Sequence, residues 1–243
     1  MSVVPTSAHP RREVDRRPWV IVAIVAFLLG GVTVALLYQF DVFGGTSGSS
    51  TTGSGVAKTQ IRDVPAFHSV TLAGGNNVVV QVGGRQSVVV EADDNLLGRV
   101  TTRVQSGTLV IGNTPGRFTT KSPMSVVVTL PALNELTLAG GGNVVVNGVK
   151  TQSLRVTLSG GGNLTASGTA GALGLTLSGS GNMWFTRLVA NHVNALLSGS
   201  GNMFITAITS LNASIPGSGS ITYAGNPQQV TRSVTGSGAI TGS

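Results

Sequence analysis

Residues 159–202 read SGGGNLTASGTAGALGLTLSGSGNMWFTRLVANHVNALLSGSGN, and a short glycine-rich block occurs three times within them. Related blocks occupy residues 139–143, 159–163, 178–182, 198–202, 216–220 and 235–239. The last residues of these blocks are separated by 20, 19, 20, 18 and 19 positions. A period this regular indicates a repeat architecture in which every copy forms one structural unit.

An alternating strand precedes each block. In the segment 154–158, for example, Leu154, Val156 and Leu158 share one face, because successive side chains of a strand point to opposite sides. If the repeats stack as layers, one aliphatic column is formed by Leu138, Leu158, Leu177, Leu197, Ile215 and Val234. A period of 19–20 residues with two or three short strands is typical of a β-helix coil. We therefore predict an all-β fold, a right-handed parallel β-helix, with the hand taken from crossover chirality.

The blocks themselves are interpreted as the corners of the coils. Glycine tolerates positive φ without strain, and asparagine is the next most tolerant residue, so we expect positive φ at these corners. The asparagines that end four of the blocks are predicted to stack as a hydrogen-bonded turn ladder: Asn143, Asn163, Asn182 and Asn202. Residues 58–135 repeat less regularly. Their short strands, with turns at 83–84 and 106–107, predict hairpins or irregular coils that cap one end of the solenoid.

The N-terminal part divides by composition into a basic tail (1–18), an apolar stretch (19–40) and a Gly/Ser/Thr-rich linker (41–57), before the repeat domain (58–243). The apolar stretch carries no charge, and as a helix it would be about 33 Å long, enough to cross a bilayer. Arginines precede it and Asp41 follows it. The positive-inside rule then predicts a single-pass membrane protein with a cytoplasmic N-terminus and an extracytoplasmic C-terminal domain.

A cleaved signal peptide is the competing interpretation of residues 19–40. Its apolar region is usually about 7–15 residues long, so the length favours a retained anchor. Within the stretch, Ala26/Gly30 and Gly31/Ala35 have small-xxx-small spacing, which allows oligomerisation through the helix; the solenoid is a second route to an oligomer.

Composition excludes several kinds of chemistry. There is no cysteine, and residues 136–243 contain neither Asp nor Glu, so the carboxylates of polysaccharide-cleaving enzymes and of calcium-binding solenoids are missing there. Glu91, Asp93 and Asp94 form the one acidic cluster, which we interpret as a solvated turn. His68 and His192 are isolated in sequence. We expect no enzyme activity, catalytic residue, metal or cofactor.

The net charge of +7 does not indicate a nucleic-acid binder, because four of the basic residues lie in the tail and the others are scattered. We therefore expect no nucleic acid among the partners.

From about Phe67 onward the chain resembles a bacterial family, the auto-transporter adhesin head GIN domains. The resemblance rests on AGGNN at 73–77, VVVEADDNLLGRVTTRVQSGTLVI at 88–111, the valine-rich strand that ends in Leu130-Pro131, and the series of GSGN blocks. It implies a β-helical fold, an exported or cell-surface location and an adhesive or binding role.

Trp184 and Phe204 are the candidate ligand platform. If Met183 and Phe185 point inward, Trp184 points outward and Phe204 lies beside it in the next coil; in the opposite register both rings fill the core. We predict a membrane-anchored binding or adhesion module whose partner is a cell-wall polymer, a glycan or a surface protein. The alternative function is a structural or sensory ectodomain that couples envelope state to a membrane partner.

Overall fold

The computed structural model describes residues 50–243 and, before them, the backbone of two short strands. By their internal contacts, residues 1–48 and 49–243 form two separate units. The tail 1–18, the first part of the linker and the small-xxx-small pairs of the apolar stretch lie outside the described residues.

In the N-terminal unit, strand β1 (Val22–Val25) pairs antiparallel with β2 (Leu36–Gln39). Both lie in the stretch 19–40, for which a transmembrane helix was predicted. In the part of the chain that is described, no helix is long and apolar enough to span a membrane. The predicted helix is therefore not confirmed. The physical reason for the difference is that short apolar runs rich in β-branched residues fit a strand as well as a helix.

The larger unit is all-β, apart from a single-turn 3-10 helix at Leu97–Arg99. Its first strands are β3 (Thr51–Thr52), β4 (Ala57–Arg62), β5 (Ser69–Leu72), β6 (Asn77–Val82), β7 (Ser87–Asp93), β8 (Val100–Gln105), β9 (Thr108–Asn113), β10 (Phe118–Thr119) and β11 (Ser125–Leu130). The repeat region follows with β12 (Glu135–Leu138), β13 (Asn143–Leu158), β14 (Asn163–Leu177), β15 (Asn182–Leu197), β16 (Asn202–Ile215), β17 (Ser220–Ala224), β18 (Gln229–Val234) and β19 (Ala239–Gly242).

The repeats stack as parallel coils, one above another, in a β-solenoid of about five turns. The long strands β13 to β16 each run through most of a coil, and equivalent residues of successive repeats are register partners, such as Leu158 with Leu177 and Leu177 with Leu197. The all-β solenoid is thus confirmed. Its right-handed winding stays a prediction.

The core lies inside the coils. Five members of the predicted aliphatic column, from Leu138 to Ile215, are completely buried, whereas Val234 is 44% exposed. Strand β18, which carries Val234, pairs only with β16 among the described residues, so its other side has no neighbour. The column therefore forms as predicted in every coil that has a neighbour on both sides.

The corner glycines have a different cause from the one predicted. Neither they nor the ladder asparagines have positive φ; the glycines that do include Gly148 and Gly168, which lie at another bend of the coil. At the blocks, a Cβ on Gly162 would lie 1.8 Å from the carbonyl oxygen of Gly142 in the coil below. The first and last glycines of the blocks are needed because the coils approach each other closely at this corner.

Antiparallel strands close the N-terminal end of the solenoid, as predicted. Strands β8 and β9 form a hairpin through Ser106 and Gly107, whose φ values of 48° and 74° suit a tight turn. Strand β7 lies between β4 and β11 and is antiparallel to both. Strand β11 pairs with β6, and β6 pairs with β13, both in parallel, so this region continues the sheet of the coils.

The folded unit begins before the predicted boundary at residue 58. Thr51 and Thr52 pair in parallel with β10, and Gly53 is buried. The buried Asp93 carboxylate accepts hydrogen bonds from the backbone N–H groups of Gly55 (2.8 Å), Lys121 (2.9 Å) and Ser122 (3.2 Å). The C-terminal part of the predicted linker is therefore a structured element held by Asp93.

Candidate functional site

The four asparagines of the predicted ladder lie in one outward column and are hydrogen-bonded in series. Each side-chain N–H donates to the Oδ1 of the preceding member, over 3.0 to 3.1 Å. The series also extends beyond the predicted residues, because Asn143 donates to Asn77 and Ser220 donates to Asn202. A carboxamide has two N–H donors and two acceptor lone pairs, so every interior member keeps one donor and one acceptor site for another partner.

Beside this ladder runs a second outward column, which we call the outer stripe. It takes one residue from each of ten paired strands: Ile61, Val89, Val127, Val79, Val145, Thr165, Trp184, Phe204, Thr222 and Thr241. At about 4.8 Å per strand the outer stripe is about 43 Å long. It contains no charged residue, and Ile61, Val127 and Trp184 are among its well-exposed members. The outer stripe is thus an extended uncharged surface on one side of the sheet.

Trp184 and Phe204 form a ridge on the outer stripe. Their neighbours Met183 and Phe185 are completely buried, and Trp184 is 45% exposed, so both rings lie on the outward side of the sheet. The ring centroids are 4.2 Å apart and the ring planes differ by 4°, which is a parallel stack. Of the two facings that the sequence allows, the structure has the outward one.

The stack decides what the ridge presents to a ligand. The two residues are register partners in adjacent coils, so they are separated along the solenoid axis. Rings that face each other across this separation stand on edge, with one face of each ring covered by the other. A ligand can therefore contact the edges of both rings and the one face of each ring that the other ring does not cover. The uncovered face of Trp184 is turned toward Thr165, and that of Phe204 is turned toward Thr222.

The acidic cluster does not form a single solvated turn. Asp93 is buried and accepts the backbone hydrogen bonds described above, whereas Asp94 accepts a hydrogen bond from the hydroxyl group of Ser54. No group of three or more His, Asp or Glu side chains arranged for a metal ion occurs in the described part of the chain.

Both histidines outside the tail contact a serine hydroxyl, which sequence reasoning did not foresee. The Nδ1 atom of His192 lies 2.9 Å from Ser210 Oγ, and that of His68 lies 3.1 Å from Ser69 Oγ. A Ser–His pair acts as a nucleophile and base when a third group, usually a carboxylate, orients the histidine. Within residues 50–243 neither histidine is hydrogen-bonded to a carboxylate.

Sequence reasoning named Trp184 and Phe204 but left their facing open, and it did not find the outer stripe. Four of its members, Ile61, Val79, Val89 and Val127, lie on strands whose spatial order differs from their chain order. The only available signal was alternation within each valine-rich strand, which assigns two faces to a strand but not its neighbours.

Several solved structures have the same architecture. A Bacteroides fragilis protein described as "a putative adhesin" is 24% identical, with a TM-score of 0.68, covering 80% of this chain and 100% of that one. A Parabacteroides distasonis "putative lipid binding protein" is 20% identical, with a TM-score of 0.52, and a "putative adhesin" from the same species is 17% identical, with a TM-score of 0.51. In both cases the coverage is 80% of this chain and 100% of that one. At these identities the likeness establishes the fold.

Comparison with curated proteins gives no match. A family model does match residues 66–227, which include strands β5 to β17, the ladder and the ridge. Because these residues make up well over half of the 243-residue chain, the protein belongs to the family described as "Putative auto-transporter adhesin, head GIN domain".

Proposed function

We propose that this protein is a non-enzymatic binding and adhesion module that presents the outer stripe to a cell-wall polymer, a glycan or a surface protein. The observation that carries the proposal is the ridge, because Trp184 is 45% exposed and stacks on Phe204 in the outer stripe. Leaving large aromatic surface in water forgoes the free energy of burial, and contiguous exposed apolar surface commonly marks an interaction site. The family to which the chain belongs is described as adhesins, which supports a binding role. Residues 136–243 lack the carboxylates that polysaccharide-cleaving enzymes use, which supports a role without catalysis.

The test uses the full-length protein and isolated cell-wall fractions in a sedimentation assay. Trp184→Ala is expected to lower binding at least about tenfold, since aromatic anchors at interfaces are worth about 2 kcal/mol or more. The matched control is Leu196→Ala, which truncates another exposed apolar residue and is expected to bind normally. Equal binding by Trp184→Ala and the wild type, with thermal unfolding unchanged, would contradict the proposal. A sensory ectodomain instead predicts binding only when a partner membrane protein is present.

We also propose that the binding domain lies outside the cytoplasm and that residues 19–40 hold the protein at the membrane. The absence of charge in this stretch and the arginines before it support this location. Alkaline washing of membranes is expected to leave the protein in the pellet, and protease added to spheroplasts is expected to digest residues 58–243. Release by the alkaline wash would contradict the anchor, and protection from protease would contradict the location.

A further inference from the structure

The free face of Trp184 lies above a recess. Thr165 is the register partner of Trp184 on the side away from Phe204, and it is half-buried. A threonine side chain is much shorter than an indole, so it leaves one face of the ring uncovered. We call this recess, with Thr165 as its floor and Trp184 as its wall, the notch.

Polar groups lie on both sides of the notch. Asn163 precedes Thr165 by two residues on the same face, and its side chain donates to Asn143 and accepts from Asn182, which leaves one N–H donor and one acceptor site unused. Ser167 follows Thr165 by two residues, across an irregularity in the pairing of β14 with β15. Its hydroxyl lies 3.4 Å from both Val146 O and Asn147 Oδ1. An aromatic wall with hydroxyl and amide groups beside it suits a sugar ring, whose C–H groups pack on the aromatic face and whose hydroxyl groups exchange hydrogen bonds.

The strand register places one charged residue, Arg187, beside the notch. Arg187 is exposed and is the register partner of Ser167, at the edge of the notch. Between residues 136 and 243 the sequence has four basic residues and no acidic one: Lys150, Arg155, Arg187 and Arg232. Arg155 is the register partner of the acidic Glu135, and Arg232 contacts Tyr223 on another strand, so Arg187 is the basic group that serves the notch. An arginine fork binds a carboxylate or phosphate group in particular.

We propose that the notch binds an acidic sugar residue of a polysaccharide. The sugar ring stacks on the free face of Trp184, its hydroxyl groups bond with Asn163 and Ser167, and its anionic group pairs with Arg187. This inference rests on the proposed binding function and gives it a ligand class and a position.

The experiment titrates the full-length protein with a galacturonate hexamer and follows Trp184 fluorescence. All variants carry Trp19→Phe, which leaves Trp184 as the only tryptophan, and the detergent has no sugar headgroup. Thr165→Phe is designed to cover the free ring face while keeping the ridge intact. It is expected to weaken binding at least about tenfold, because the sugar ring loses the aromatic face on which it packs. Arg187→Gln is expected to weaken binding about tenfold through loss of a charged hydrogen bond.

Two matched controls accompany these variants. Thr176→Phe makes the same substitution at a half-buried position on the same coil but outside the outer stripe, and it is expected to bind normally. The fully methyl-esterified hexamer keeps the sugar ring and removes the charge, and it is expected to bind about tenfold more weakly.

Failure of the inference differs from failure of the proposed function. Suppose that Thr165→Phe binds cell walls and the hexamer like the wild type while Trp184→Ala loses cell-wall binding. The proposed sugar site at the notch is then wrong, and the proposed binding function is still supported. Equal affinity for the methyl ester, no saturable response to the acidic hexamer, or tighter binding of a single-stranded oligonucleotide would each overturn the acidic-sugar assignment. If Trp184→Ala still binds cell walls, the proposed function falls as well.

Discussion

At the residue scale, the block glycines differ from one another in what surrounds them. In the block at 159–163, a Cβ on Gly160 or Gly162 would lie within 2.0 Å of a carbonyl oxygen in the coil below, whereas a Cβ on Gly161 would meet nothing within 4 Å. The sequence repeats this difference, because serine replaces the middle glycine at positions 180, 200, 218 and 237. The outer glycines are therefore required by coil-to-coil contact, and the middle position is free to vary.

Gly162→Ala is expected to destabilise the protein by about 2 kcal/mol or more, since the added methyl group forces two coils apart. The matched substitution Gly161→Ala adds the same methyl group in open space, so a change within about 0.5 kcal/mol is expected. Urea unfolding followed by circular dichroism measures both. Equal changes in the free energy of unfolding for the two substitutions would contradict the requirement for glycine at position 162.

At the scale of elements, Asp93 joins three parts of the fold that are distant in sequence. Asp93 is the last residue of β7. Its carboxylate accepts hydrogen bonds from the backbone N–H groups of Gly55, Lys121 and Ser122. Burial raises the pKa of this carboxyl, but the hydrogen bonds from Lys121, Ser122 and Gly55 outweigh burial, and the net pKa lies below its ordinary value. The ionised form is thus favoured in the folded state.

A lowered pKa makes the contribution of Asp93 to stability depend on pH. The contribution is complete above the ordinary aspartate pKa of about 3.9 and is lost as the pH falls from there through the lowered pKa of the folded state. Asp93→Asn is expected to destabilise the protein at neutral pH and to flatten the acid dependence of its unfolding. Asp63→Asn replaces an exposed carboxylate and is the control. Thermal unfolding between neutral and acidic pH measures both; an unchanged acid dependence in Asp93→Asn would contradict this role.

At the scale of the whole molecule, stability comes from stacking each coil on its neighbours. Inward residues are completely buried in the inner coils, whereas Arg232 of β18 takes the register position below buried Ala213. Its guanidinium group lies 5.1 Å from the centre of the Tyr223 ring and donates to the Tyr223 hydroxyl group. An inward-pointing charge on an edge strand opposes edge-to-edge pairing with another sheet.

Position along the solenoid therefore sets the effect of a core substitution. Val156→Ala, at a completely buried position, is expected to lower the free energy of unfolding by about 2 kcal/mol from lost burial and the residual cavity. Val234→Ala, at a position 44% exposed, is expected to lower it by less than about 1 kcal/mol. Chemical denaturation compares the two variants, and equal losses would contradict coil-by-coil stacking as the source of stability.

The sequence by itself determined the coil length, the aliphatic column and the positions of the ladder asparagines. These features follow from a regular period and from in-register stacking, which places equivalent residues such as Asn163 and Asn182 side by side. It did not determine why the block glycines are needed, because φ and the distance between coils are not visible in a repeat.

Only the tertiary structure decided the candidate binding surface. The outer stripe includes β4, β7, β11 and β6, which are adjacent in space in an order that no local pattern encodes. The ring planes of Trp184 and Phe204 were likewise undetermined, because alternation assigns a side chain to a face but not its rotation. Their parallel stack makes the predicted ligand platform a ridge with a notch beside it.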